Sequence, residues 1–396
     1  MTLSIRPKVY SLPSYSLTGD LLGYLRCGLQ YRYTRIGKLP ASRPVQQWFG
    51  EFIHGVLEEA FRRYRDSALK GMPSLPPWPS SDLDDIKKLI KTRLGARGLY
   101  AWSPDLEQLG DERATAAVQE LGPHLFPLIH RAEVRLTGAR LLPAIQGHLQ
   151  FRVADRYEMV GVVDVVTHVQ LATPALAKNP IVGALKTGLG PGLPPTFEVI
   201  IDYKGMRRPP VPKPGAKNSL WTQYEWQLQT YGELRRTQPD ALSVVAGVLL
   251  YVNELHPTRS DLERLKDEIA NGTTDVPPAP GSPDDVALKK WKTRDKQLPQ
   301  LSFAYRLARA LRVVPITTAS IAQALQSFDA VVKDIETCRG QEVHGSAVIQ
   351  AWTKNSTQED TCVVCDSRTF CPDYQAKYAK KHNETEPKLP AFKTGP

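Results

Sequence analysis

Three cysteines fall within ten residues near the C-terminal end, Cys362, Cys365 and Cys371 in TCVVCDSRTFC, while a fourth, Cys27, stands almost a whole chain length before them. A single centre built from all four obliges the fold to bring its two ends together. Treated as a covalent link closing a loop of that length, such a centre stabilises the folded state by on the order of 5 kcal/mol. All-thiolate ligation suits a structural Zn²⁺ ion or a [4Fe–4S] cluster, and free thiols are the remaining reading. The total of five cysteines is odd, and clustered thiols in a reducing compartment are more often metal ligands than disulfides. Cys338, in DIETCRG at a helix end, reads as an ordinary buried thiol.

With 396 residues and 41% hydrophobic content, the chain is long enough to bury a large core and to form two or three domains. Lys and Arg number 51 against 41 Asp and Glu, a net charge of +10. That balance points to a polyanionic partner, of which nucleic acid is the commonest, although charge alone does not separate DNA from RNA or anionic lipid. The opening MTLSIRPKVYSLPSYSL has no apolar export core and no run of about eighteen apolar residues occurs, so no membrane span and a cytoplasmic location are expected.

Five regions are expected along the chain. Residues 1–65 contain Cys27 and the run FGEFIHGVLEEAFRRY, where Phe49, Phe52, Ile53, Val56, Leu57, Ala60, Phe61 and Tyr64 define one face of an amphipathic helix. Residues 66–130 read as a helical insertion, one helix opening at Ser80 or Ser81 and another after Ser103-Pro104. Between 131 and 255 the pattern turns to strands, AEVRLTG, AIQGHLQFRV, MVGVVDVVTHV, FEVIIDYK and SVVAGVLLYVN, with a helix at about 220–236. Two Pro/Gly-rich stretches, 173–196 and 205–219, read as excursions at the sheet edge, and Gly188-x-Gly190-x-Gly192 as loop. Residues 256–345 read as a long polar loop carrying one short helix, followed by helical patterns, and residues 346–396 as the cysteine cluster with a poorly ordered basic tail.

Acids stand inside two of those strands. Asp164 interrupts VGVVDVV and Asp202 ends FEVII, and an unpaired carboxylate in such surroundings costs several kcal/mol. Asp202 and Lys204 are two apart, so they share one strand face while Tyr203 takes the other. Either a structural salt bridge or convergence on a divalent cation answers that cost. His54 lies four residues after Gly50 on the amphipathic helix, and Gln227 and Tyr231 are a similar pair on the later one. Taken singly, each pair is ordinary packing.

In order, Gly50-x-x-x-His54, Gly161-Val162-Val163-Asp164, Asp202-Tyr203-Lys204 and Gln227-x-x-x-Tyr231 resemble the PD-(D/E)XK nuclease superfamily in its RecB-like branch. Cys27 with Cys362, Cys365 and Cys371 is similar to the iron–sulfur members, the CRISPR-associated exonucleases and the AddB nuclease domain. The resemblance implies an α/β fold, a restriction-endonuclease-like mixed sheet flanked by helices, with helical insertions and an iron–sulfur clasp joining the N- and C-terminal segments. It implies a metal-dependent DNA nuclease, an exonuclease on single-stranded or end-containing DNA, in which His54, Asp164, Asp202 and the Tyr203 carbonyl hold Mg²⁺ or Mn²⁺. An imidazole among hard oxygen donors tilts that choice toward Mn²⁺. Lys204 then stabilises charge or positions water, Gln227 and Tyr231 orient substrate or the lysine, and the four cysteines hold a structural [4Fe–4S] cluster.

Arg207, Arg208, Lys213 and Lys217 follow the Asp-x-Lys strand, and they suit either a phosphate-tracking loop or a solvated one. With no GxxxxGK[ST] motif present, unwinding would fall to a separate helicase, and CRISPR, recombination and defence complexes are the contexts the resemblance offers. The alternative is a catalytically idle nucleic-acid-binding or assembly subunit of a larger DNA-processing complex, which the intact set His54, Asp164, Asp202 and Lys204 argues against.

Overall fold

Periodic apolar residues in the Phe49–Tyr64 run form the inner face of one long helix, Val45–Leu69, in the computed structural model, which describes residues 12–39, 45–72, 74–145, 147–215 and 219–382. Phe49, Phe52, Ile53, Val56, Leu57, Ala60 and Phe61 are buried in the main apolar core. The helices Ser80–Ala96 and Pro104–Ala116 bury Ile86, Ile90, Leu94 and Ala114 in the same cluster. Gly55 gives the first of these its seat: a methyl there would stand 2.9 Å from Ile90.

Two compact units result. The larger holds Pro44–Leu136 and Gly161–Ala324, and the smaller Met1–Arg43, Thr137–Val160 and Leu325–Pro396. Strands are β1 (Ser14–Ser16), β2 (Ile129–Leu141), β3 (Arg156–Thr167), β4 (Val169–Gln170), β5 (Thr196–Lys204), β6 (Val244–Tyr251) and β7 (Leu311–Pro315). In the larger unit β5 pairs antiparallel with the second half of β3 and with β4, and parallel with β6, which in turn pairs antiparallel with β7. β2 also pairs with β3. The result is a mixed, curled sheet flanked by helices. Burial of Phe197 to Tyr203 without alternation marks β5 as central, covered on both faces.

In the smaller unit β1 runs parallel to the first half of β3, with Tyr15 beside Met159. Its acids are held by aromatic hydroxyls and guanidinium groups. Tyr15 and Arg152 both donate to Glu336, and Tyr157 donates to Asp329 at 2.6 Å beside the Arg140–Asp329 pair. Trp352, fully buried, lies against Tyr24 and Tyr31 and donates to Glu342 at 2.8 Å.

Four readings of the sequence are corrected. AIQGHLQFRV is not a strand: a 3₁₀ turn at Gly147–Leu149 interrupts it, and Leu149 presses on Gly340, where a methyl would meet its carbonyl oxygen at 2.4 Å. The stretch at 173–196 contains the helix Pro180–Leu189, capped by Asn179, whose Oδ1 accepts from Ile181 N at 2.9 Å. Its Pro and Gly are helix punctuation, Pro180 at the first turn and Gly190 with φ +73° at the end. Residues 256–300 carry two helices, Arg259–Ala270 with a Thr258/Asp261 capping box and Pro283–Lys290 behind Ser282, sharing a small core of Leu262, Leu265, Leu288, Trp291 and Tyr305. Finally β7 was passed over, five residues between two helices. Part of the expected disordered tail, residues 383–396, lies outside the described residues.

The sheet also carries a buried ion pair. Glu198 on β5 accepts from Arg235 at 2.7 and 2.8 Å, and both side chains are almost wholly buried. Removing one partner strands a buried charge, so Glu198→Ala is expected to lower unfolding free energy by about 3–5 kcal/mol in a urea titration. A loss below about 1 kcal/mol contradicts the assignment.

Candidate metal and active site

At its C-terminal end β5 leaves the apolar run of Val199, Ile200 and Ile201. Asp202, 5% exposed, and Lys204 project from one face, and the Lys204 ammonium stands 2.6 Å from Asp202 Oδ2. Gln227, one turn before Tyr231 on the helix Leu220–Arg236, joins the two. Its Oε1 accepts from Lys204 Nζ at 2.9 Å and its Nε2 donates to Asp202 Oδ1 at 2.9 Å. Because one neighbour only donates and the other only accepts, the amide is fixed in a single orientation. Gln227 Nε2 also lies 3.2 Å from the Tyr231 hydroxyl, and Lys204 Nζ sits 4.1 Å above the Tyr224 ring. Burial pushes Asp202 upward and Asp164 adds to it, against the pull of Lys204.

Strand register brings the second acid alongside. Val165 pairs with Ile201 and Val166 with Ile200, so the next step of that register sets Asp164 level with Asp202. Here a side chain replaces the backbone ladder: Tyr203 N donates to Asp164 Oδ2 at 2.7 Å. His54 closes the arrangement from the Val45–Leu69 helix, with Nδ1 3.6 Å from Asp164 Oδ1 and Nε2 3.0 Å from the Tyr203 carbonyl oxygen. The helix approaches because Gly205 faces it; a methyl on Gly205 would lie 3.3 Å from Gly50 Cα. The restrictive glycine is therefore Gly205, since a methyl on Gly50 would meet nothing within 4 Å.

Gly161 has a separate duty. A methyl there would stand 2.7 Å from the Tyr231 ring, so glycine makes room for the ring that backs Gln227.

A residue absent from the sequence reading also belongs here. Glu133, on β2, brings a carboxylate oxygen within 4.8 Å of the ligand atoms of both His54 and Asp164. Among the described residues this is the group that meets that spacing. Two ligands on one Mg²⁺, Mn²⁺ or Ca²⁺ ion lie at most about 4–5 Å apart, and carboxylates with one imidazole suit Mn²⁺ or Mg²⁺. Glu133 thus joins His54 and Asp164 in one three-ligand group, while both Asp202 oxygens face Gln227 and Lys204 at the same strand end. Glu133 has φ +52°, a left-handed conformation costly for a side chain of its size and found where surrounding structure imposes it. AEVRLTG read only as a strand, and only backbone geometry and its neighbours distinguish the acid in it.

Charges in this group act on one another. Burial pulls His54 down, but Asp164, Asp202 and Glu133 outweigh it and push the imidazole up to about 9. Glu133 is pushed up to about 7 by the protein around it and by Asp164, against His54.

In the smaller unit Cys27, Cys362, Cys365 and Cys371 line one pocket with Asn355, Ser356 and Tyr374. All four are free thiols. Burial and then the neighbouring thiols Cys27 and Cys371 push Cys362 up, and burial foremost raises Cys365. Cys338 is buried elsewhere, 3.5 Å from the Tyr24 hydroxyl.

Two of the four basic residues in the stretch after β5 are turned inward. Arg208 is buried, donating to the Arg309 and Leu311 carbonyls and paired with Asp275, and Arg207 is paired with Glu268. Desolvating a guanidinium requires such partners, and at Arg208 they occupy the groups a phosphate would need. Lys213 is exposed, and Lys217 lies outside the described residues.

A family model described as the PD-(D/E)XK nuclease superfamily matches residues 19–170, less than half of the chain. The matched span contains His54, Glu133, Gly161 and Asp164 and ends before Asp202. The mixed α/β fold is consistent with the restriction-endonuclease-like fold of that superfamily, which implies nuclease activity in general, with DNA as substrate and divalent metals such as Mg²⁺ or Mn²⁺. No curated protein matches the chain. No described helix is long and apolar enough to cross a membrane.

Ligands that hold protons must release them to a metal. With Glu133 protonated below about 7 and His54 below about 9, apparent Mn²⁺ affinity is expected to rise between pH 6 and 9. The rise is roughly tenfold per pH unit for each proton displaced. Calorimetric titrations check this, and Glu133→Gln should both weaken binding and flatten the lower part of the rise. A pH-independent affinity removes both residues from the ligand set.

Proposed function

We propose that the chain is a metal-dependent DNA nuclease, an exonuclease on single-stranded or end-containing DNA, whose smaller unit carries a structural [4Fe–4S] cluster. One observation carries the nuclease reading: Lys204, held by Asp202 and Gln227, stands one residue from Tyr203, whose amide and carbonyl contact Asp164 and His54. His54, Asp164, Asp202 and the Tyr203 carbonyl oxygen, joined by Glu133, would hold the divalent cation. That ion supplies Lewis-acid chemistry toward a phosphodiester when bound.

The chain's own groups do the rest. Lys204 presents a fixed ammonium where negative charge develops on the phosphate, and its position costs no reorganisation because Gln227 and the Tyr224 ring already hold it. Asp202 holds that lysine in place. Gln227, backed by Tyr231, keeps Asp202 and Lys204 in register, a positioning role. The restriction to ends or single strands rests on the resemblance to RecB-like exonucleases.

For the thiol centre the supporting observation is that all four cysteines line one pocket. All-thiolate ligation of this kind suits a [4Fe–4S] cluster or a structural Zn²⁺ ion, and the choice of the cluster rests on the resemblance to the iron–sulfur nucleases.

Two experiments test these readings. With Mn²⁺, the protein should degrade linear single-stranded DNA and spare circular duplex, and Asp202→Ala and Lys204→Ala should each lower the rate by about 10²-fold or more. Cleavage surviving both substitutions locates the activity elsewhere. Anaerobically purified protein should absorb near 400 nm and contain about four irons; stoichiometric zinc with no such band overturns the cluster.

A further inference from the structure

Of the described residues, only three aromatic side chains are strongly exposed, and two of them, Tyr100 at 71% and Trp102 at 78%, share one short connection. That connection, Arg97-Gly98-Leu99-Tyr100-Ala101-Trp102-Ser103, joins the helices Ser80–Ala96 and Pro104–Ala116 in the larger unit. Leu99 is buried and Ala101 packs on the same core, so the alternating Tyr100 and Trp102 are turned outward. Leaving two large rings in water forfeits burial energy that neighbouring residues of the segment gain.

The segment is held rigidly. Gly98 N and Leu99 N donate to the carbonyls of Gly95 and Leu94 at 2.9 Å, and Gly98 takes φ +70°. The Tyr100 hydroxyl donates back to Gly95 O at 3.0 Å, and Ser103 caps the next helix through Leu106 N. Rings presented this way bind with little loss of conformational entropy.

Position supplies the partner. Arg97 pairs with Glu51 at 2.7 Å, and Glu51 precedes His54 by three residues, about 4.5 Å along the same helix. Arg97, three residues before Tyr100, is thus anchored one helical turn from His54 of the candidate metal site. The cations around the aromatic pair are engaged by acids, Arg97 by Glu51, Arg93 by Glu59 and Lys91 by Glu107 and Asp111. A phosphate backbone gains little from cations so occupied, whereas an exposed base face gains from rings.

We infer that Tyr100 and Trp102 form a stacking shelf for the unpaired bases of a single DNA strand bound at the His54 site. The inference rests on the nuclease reading for why a strand comes here, and it adds a substrate class with named contacts. Stacking is open to every base because each has a π-face, so the shelf is indifferent to sequence. It excludes paired bases, whose faces are covered.

The test is binding of a fluorescent single-stranded oligonucleotide and of a blunt duplex to full-length Lys204→Ala protein, which leaves substrate uncut. Trp102→Ala and Tyr100→Ala on that background should each weaken single-strand binding by roughly five-fold to a hundred-fold. Trp102→Phe should restore most of the affinity, and the duplex should be unaffected. Abasic oligonucleotide should bind the parent and the alanine variants alike, and the loss should persist at high salt. Unchanged single-strand affinity, or equal losses for duplex and single strand, overturns the shelf and leaves the rings to a protein partner. Ring-dependent binding by a protein that never cleaves DNA sinks the nuclease reading alone, and cleavage with ring-independent binding sinks the shelf alone.

Discussion

Everything at the candidate site depends on a charge pair carried to the end of a buried strand. After Glu198, β5 is apolar and covered on both faces until Asp202, so that carboxylate is tolerable only with Lys204 at 2.6 Å and the Gln227 amide on its other oxygen. The helix Leu220–Arg236 is bound to the sheet through this requirement as much as through apolar contact. Glu198 and Arg235 repeat the device near the other end of the same strand and helix, where it serves stability alone. The comparison separates two uses of buried charge. At Glu198 the pair is closed on itself, while at Lys204 the ammonium retains a face on Tyr224 and sits beside a second group of acids.

Much of this was legible in the amino-acid order. Asp164, Asp202 and Lys204 announced themselves because charge inside apolar strands needs an answer. His54, Gln227 and Tyr231 were legible only through their spacing and through family resemblance. Glu133 was not legible. Its strand alternates, an acid on the outward face is ordinary, and the left-handed backbone that singles it out leaves no mark in composition. Gly205 was not legible for a related reason, since it lies in a segment read as loop and only the folded chain brings it against Gly50.

The fold shows the same division between local and tertiary causes. The long helix from Val45 was readable because its apolar period persists for several turns, and β5 and β6 because continuous apolar runs of that length are buried strands. The helix Pro180–Leu189 was hidden by its own punctuation, and β7 by its brevity. Arg208 looked like a surface cation and proved to be internal wiring, because a guanidinium's burial depends on carbonyls supplied from residues a hundred positions away.

The thiol pocket has a consequence for biosynthesis. Cys27 is made long before its companions, and the pocket it shares with Cys362, Cys365 and Cys371 lacks its full set of thiols until residue 371 has been added. Until then the first thiol waits without its companions. Occupancy of the pocket would therefore distinguish chains extended past residue 371 from those that stop before it.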